Sequence, residues 1–144
     1  VSRYLRNKFP YPYTLRDAER YIDFCMRSEG KIGVNRAIVV DNKAVGSIGV
    51  SFQTDIHEKC AEIGYWLGEK YWGQGIVTEA VKELCDMIFK KYGIVRIYAE
   101  VIENNRPSAK VLEKAGFTKE GIMYKSICKN GNLYNSCIYA LIKE

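Results

Sequence analysis

Gly68-Glu69-Lys70-Tyr71-Trp72-Gly73-Gln74-Gly75-Ile76-Val77-Thr78-Glu79-Ala80-Val81 joins an apolar strand pattern to an amphipathic helix pattern. Two glycines, Gly73 and Gly75, stand at the join. Without a Cβ, glycine enters backbone conformations closed to other residues and lets a ligand approach the main chain. The first amides of the helix, at about Val77 to Ala80, have no carbonyl partner a turn behind them. They carry the positive end of the helix dipole, which suits a phosphate or diphosphate. The same residues also read as a tight turn that binds nothing, because a lone Gly-x-Gly matches by accident. Two familiar phosphate loops are excluded. No Gly-Lys-Ser/Thr is present, and Thr78 stands where Gly-x-Gly-x-x-Gly needs its third glycine.

Upstream of the join, Cys60–Leu67 alternates as a strand. Ala61, Ile63, Tyr65 and Leu67 share one face; Glu62, Gly64 and Trp66 share the other. Glu62 is thus a carboxylate inside an apolar strand. It reads either as a solvated or ion-paired side chain, or as a general base whose pKa rises if water is scarce. Downstream, Val77, Val81, Leu84 and Ile88 recur at helical spacing. Lys90 and Lys91 suit a last turn, and Gly93 suits the stop. Residues 94–102 form the next strand, and strand-helix-strand predicts a parallel pair with a right-handed crossover. Asn105 or Arg106 would cap a helix over 107–115 that Pro107 opens and Gly116 ends. Residues 117–128 and 133–142 are the last strands, and Asn130-Gly131 is a strong hairpin signal between them.

Residues 1–13 are aromatic and basic, with Pro10 and Pro12 enforcing extended or turn geometry. Thr14 and Asp17 are spaced as a capping box, followed by Ala18, Tyr21, Ile22 and Cys25 at helical spacing and Gly30 as a stop. Residues 36–40 and 44–53 read as a hairpin around Asp41-Asn42-Lys43. Residues 54–59 form a polar loop, whose His57 reads as a solvated side chain or, less simply, a catalytic one. The element order is helix, β, β, β, helix, β, helix, β, β. The fold class is α+β, with antiparallel strands leading into a central parallel pair, in one domain over residues 1–144.

The length of 144 residues suits one core. The chain is 47% hydrophobic and 27% charged, as in globular proteins. No apolar run reaches the roughly 18 residues that cross a bilayer. The five cysteines include no Cys-x-x-Cys, and His57 is the single histidine, so no metal is expected. Reduced thiols and a cytoplasmic location are the expectation. The net charge of +5 favours an anionic ligand, but the basic residues are scattered and form no nucleic-acid stripe.

Four stretches carry a family resemblance. They are Tyr11-Pro12-Tyr13-Thr14 with Asp17-Ala18; Ala61 to Leu67 running into Tyr71-Trp72-Gly73-Gln74-Gly75 and Thr78-Glu79-Ala80; Asn104-Asn105, Ser108 and Leu112-Glu113-Lys114-Ala115-Gly116-Phe117; and Glu120-Gly121, Gly131 and Tyr139-Ala140-Leu141. In this order the chain resembles the GNAT acyltransferases, and within them the RimJ/RimL type that acetylates protein N-termini. The resemblance implies a GNAT-like mixed sheet whose central parallel strands splay. It places the family's first strand and helix ahead of Val1, so residues upstream of this chain are expected.

The resemblance further implies acetyl-CoA as cosubstrate. The family's Gln/Arg-x-x-Gly-x-Gly/Ala loop falls on Trp72-Gly73-Gln74-Gly75-Ile76-Val77, with Trp72 and Val77 departing from it, and the helix start adds Thr78. The pantetheine arm would lie where the strands splay, against the main chain of Trp66, Leu67 and Gly68, with Asn104 or Asn105 bonding it or an ordered water. Glu62 stands where several members carry a base, and Ser108 matches a serine near the departing sulfur as general acid. Each also has a plain reading, Ser108 as a first-turn helix residue and Asn105 as a cap. Tyr124 and Tyr134 are alternative proton donors or packing residues. Tyr124 and Asn135 replace the arginine and aspartate usual in the subfamily. The implied activity is acetyl transfer to a primary amine, with a protein N-terminal α-amine first, a small amine (amino acid, polyamine or aminoglycoside) second, and a non-catalytic CoA-binding module as the rival. Monomer and homodimer both stay open.

Overall fold

The computed structural model describes residues 15–144. Thr14 and the segment 1–13 lie outside the described residues. Helix α1 spans Leu15–Ser28, then β1 Gly33–Val40, β2 Lys43–Phe52, β3 Cys60–Leu67, α2 Ile76–Lys91, β4 Arg96–Ile102, α3 Arg106–Lys114, β5 Thr118–Lys129 and β6 Asn132–Ile142. The strands form one sheet in the order β1-β2-β3-β4-β6-β5. Only β3 and β4 are parallel among these neighbours; the other pairs are antiparallel. The expected α+β order and central parallel pair are therefore present, with strand ends displaced by one to three residues.

The turns follow from residue type. Asp41 and Asn42 adopt φ of 51° and 64°, and Asn130 and Gly131 adopt 53° and 76°. Positive φ at both central residues matches the twist of the flanking strands, and Asn, Asp and Gly tolerate it. Gly30 and Gly116 are left-handed at the ends of α1 and α3, as expected of helix stops. Gly93 is different. Helix α2 ends at Lys91, and its C-cap Tyr92 is extended at φ −118° with its ring centroid 5.1 Å from that of Phe52, tilted by 54°.

The core lies between the sheet and helices α2 and α3. Val81, Leu84, Cys85 and Ile88 of α2 are buried with Ala61, Ile63 and Leu67 of β3, Ile97, Ala99 and Val101 of β4, and Leu112 of α3. Each such aliphatic side chain contributes roughly 1.5–3 kcal/mol on burial. The odd-numbered face of β3 is thus the helix face, and Glu62, Gly64 and Trp66 stand on the opposite one. Helix α1 meets β1, and Ile22 on its expected stripe is 57% exposed. At Ile22 helical spacing did not translate into burial.

Candidate active site

Between β3 and α2 the chain makes a short 3-10 turn, Glu69–Tyr71, and Trp72 returns to extended backbone. The Trp72 indole Nε1 donates to the Leu67 carbonyl at 2.8 Å, tying the bend back to the end of β3. Gln74 Nε2 donates to the Lys70 carbonyl at 3.3 Å. Gly73 and Gly75 both have φ near +75°. A Cβ on either would meet nothing within 4 Å. Glycine is needed there for its dihedral, and the space around the bend is open.

Gly75 is the N-cap of α2 and makes no side-chain cap bond. Glu79 N donates to Gly75 O at 3.1 Å. The helix-start amides are therefore those of Ile76, Val77 and Thr78, one residue earlier than the Val77–Ala80 expected from sequence. The reason is that Gly75 is the cap. Val77, which departs from the family pattern, is partly buried and packs its side chain against the core.

The register of β3 with β4 is Cys60↔Arg96, Ala61↔Ile97 and Glu62↔Tyr98, and it ends there. Beyond Glu62 the two strands part, as expected. Backbone direction along β3 is fixed by its other neighbour. Gln53 N donates to Cys60 O, and Gly68 N to Val45 O at 2.8 Å, so even-numbered residues turn toward β2. Alternation then turns Tyr65 and Leu67 toward the gap. Of the three expected main-chain contacts, only Leu67 faces it, and its carbonyl is already held by the Trp72 indole. Trp66 and Gly68 face β2, and the Gly68 amide is taken by Val45.

On the helix side of the gap, the Tyr65 hydroxyl lies 2.8 Å from Ser108 Oγ and 3.2 Å from Ser108 O. Burial pushes the Tyr65 phenol up to about 12, and the Ser108 hydrogen bond offsets part of that rise. Asn105 caps α3, its Oδ1 accepting from Ser108 N at 3.4 Å. Its side chain is thereby engaged in capping, while Asn104 is exposed. Arg106, the other candidate cap, is the first residue of the helix.

On the opposite face, half-buried Glu62 stands in register with Ser51 and Tyr98. Glu100 lies two residues further along β4 on the same face. Buried Ser136 Oγ donates to Glu100 Oε2 at 3.0 Å and contacts Ser126 Oγ at 2.6 Å. Tyr65 and Glu100 were not among the site residues expected from sequence: alternation gives each a face of its strand, but only the pairing of β3 with β2 and β4 brings Tyr65 to the gap and puts Glu100 on the face of Glu62.

An open groove of about 370 Å³ runs past the end of β4, lined by Ile102, Glu103, Asn104, Leu133, Tyr134 and Asn135. It brings Asn104 and Tyr134 together. Asn135 serves structure here: its Oδ1 accepts from Lys125 N at 2.9 Å and its carbonyl from Glu103 N at 2.9 Å. Tyr124 is 75% exposed in the β5 bulge, two strands and roughly 10 Å beyond β4. His57 is exposed in a 3-10 turn after β2 and joins none of these residues. Among the described residues no His, Cys, Asp and Glu cluster could hold a metal, and no helix is long and apolar enough to cross a membrane.

The chain belongs to the acetyltransferase (GNAT) domain family, whose model matches residues 1–118. It is similar to the uncharacterized N-acetyltransferase p20 of Bacillus licheniformis, 35% identical over 103 residues, 72% of this chain and 57% of that protein. The chain thus spans little more than half the length of that curated relative. Among solved structures it is similar to the ribosomal-protein-S5-alanine acetyltransferase of Vibrio fischeri, with TM-score 0.85 and 28% identity over 98% of this chain and 79% of that one. It is also similar to the microcin C7 self-immunity acetyltransferase MccE in complex with acetyl-CoA and AMP, with TM-score 0.80 and 29% identity over 92% of this chain and 73% of that one.

Proposed function

We propose that this chain carries an acetyl-CoA-dependent N-acetyltransferase whose acceptor is a protein N-terminal α-amine. The observation that carries it is the parting of β3 and β4 after Glu62↔Tyr98, beside a helix N-terminus opened by two left-handed glycines. The gap suits an extended pantetheine arm, and the amides of Ile76, Val77 and Thr78 suit the diphosphate at the other end of the cofactor. Tyr65 and Leu67 turn backbone toward the arm, the Leu67 carbonyl being held by Trp72.

The chemistry requires a neutral amine, an electrophilic thioester and a stabilised leaving thiolate. Glu62 accepts the amine's proton, directly or through a water. Glu100 adds a second carboxylate on that face, which draws an ammonium toward it before deprotonation. Ser108, across the gap, is the hydroxyl donor at the departing sulfur. The similarity to a ribosomal-protein acetyltransferase supports a protein acceptor, and with it a cytoplasmic location.

The similarity to MccE, solved with AMP, favours a second reading in which the acceptor is a small amine. A panel of N-terminal peptides and small amines, followed by thiol release from acetyl-CoA, separates the two. Turnover confined to peptides supports the first. Turnover confined to small amines supports the second. Binding of acetyl-CoA with no turnover on any amine would instead make the chain a non-catalytic module.

A further inference from the structure

We infer that Tyr65 is a positioning residue for Ser108: its phenol donates to the serine Oγ and so leaves the serine's own hydrogen for the departing sulfur. This rests on the role of Ser108 proposed above. It follows from counting protons. The phenol has one hydrogen and two acceptors in reach, Ser108 Oγ at 2.8 Å and Ser108 O at 3.2 Å. If the hydrogen went to the carbonyl, the serine would have to donate to the phenol oxygen. It would then present only lone pairs to the gap, and lone pairs repel a forming thiolate.

Two features favour the other arrangement. The contact to Oγ is the shorter one. Ser108 O lies in the first turn of α3, where it already has the amide four residues on as its helical partner. The phenol is neutral at ordinary pH, and burial pushes it further up, to about 12, so whichever oxygen it faces it remains a donor throughout turnover. Tyr65 itself is held from both sides. Its strand is paired to β2, with Tyr65 opposite Ile48, and its hydroxyl spans to α3, which the Asn105 cap fixes.

The step balances without a proton leaving the Tyr65–Ser108 pair. As the carbon–sulfur bond breaks, its electron pair goes to sulfur, and the Ser108 hydroxyl donates a hydrogen bond to that charge. The attacking amine's proton goes to Glu62, which passes it to water, and water returns a proton to the thiolate, so that Glu62 is again a carboxylate. A full transfer from serine would leave an alkoxide, a far stronger base than a thiolate, so a directed hydrogen bond is what this hydroxyl can supply.

The test is a double-mutant cycle with Tyr65→Phe and Ser108→Ala, reading thiol release from acetyl-CoA with the best amine of the panel. Each single change is expected to lower kcat about 10-fold, with the KM for acetyl-CoA unchanged, as loss of one transition-state hydrogen bond would. The double variant is expected to be no slower than the slower single one. Ser108→Thr, which keeps a hydroxyl, is expected to restore rate only when Tyr65 is present. Additive losses, or a slow Ser108→Ala beside a wild-type Tyr65→Phe, would overturn the inference while leaving Ser108 in its role. A Ser108→Ala enzyme at full rate would overturn both.

Discussion

Glu62 of β3 lies across from Tyr98 of β4 in the last rung that joins the two parallel strands. One residue further on, the strands have no common register. The carboxylate therefore sits at the closed end of the gap, on the face away from α2 and α3. Glu62→Gln keeps the shape and removes the basic site. The expected result is a kcat lowered about 100-fold, with the KM for acetyl-CoA changed by less than about twofold. Steady-state kinetics at saturating acceptor checks it, and an unchanged kcat would remove Glu62 from the mechanism.

Gly75 tests the bend. Its φ of 75° is left-handed, where a Cβ costs roughly 1–2 kcal/mol. Gly75→Ala is expected to lower Tm by about 3–6 °C and to raise the KM for acetyl-CoA. Gly64→Ala is the control. Gly64 has no positive φ, and a Cβ there meets nothing within 4 Å. Its Tm is expected to stay within about 2 °C of wild type.

The Arg96–Glu120 pair predicts a pH dependence. Arg96 donates twice to the Glu120 carboxylate, at 2.8 and 2.7 Å, joining β4 to the outer strand β5. The guanidinium holds the Glu120 carboxyl below its ordinary value of 4.5. A depressed carboxyl stabilises the fold above its unfolded pKa, and that contribution is lost as pH falls through the lower folded value. Both side chains are partly exposed, so the pair contributes less than about 1 kcal/mol. Glu120→Gln is expected to melt slightly below wild type at pH 7, and the two curves are expected to converge below pH 4.5. Circular dichroism melts across pH 3–7 check the convergence.

Thiol reactivity reports on burial. Cys128 is exposed, whereas Cys85 and Cys137 are buried. Burial pushes the Cys85 thiol up to about 12, so it has little thiolate at neutral pH. An aromatic disulfide reagent is expected to modify Cys128 first and Cys85 only on unfolding. Rapid reaction of Cys85 in the native protein would contradict the packing of α2.

How much of this was legible beforehand depended on whether the signal was local. Gly73, Gly75 and Asn130-Gly131 mark their turns by residue type. The stripe Val81, Leu84, Ile88 marks its helix by period. The splay followed from the family resemblance, and the structure locates its start at Glu62. What stayed hidden was set by neighbours distant in sequence. Whether Trp66 or Leu67 turns backbone to the gap depends on hydrogen bonds that β3 makes to β2, through Val45 and Gln53. The Tyr65–Ser108 contact joins residues 43 apart, and neither position announces the other. Ile22 stays exposed because a helical stripe records spacing and not what packs against it.

Titration calorimetry of the protein with coenzyme A, beside pantetheine, which lacks the diphosphate, addresses the bend as directly as any single measurement. If the amides of Ile76, Val77 and Thr78 hold the diphosphate, coenzyme A binds in the micromolar range and pantetheine binds at least about 100-fold more weakly. Equal affinities for the two ligands, or no heat with coenzyme A, would contradict that assignment.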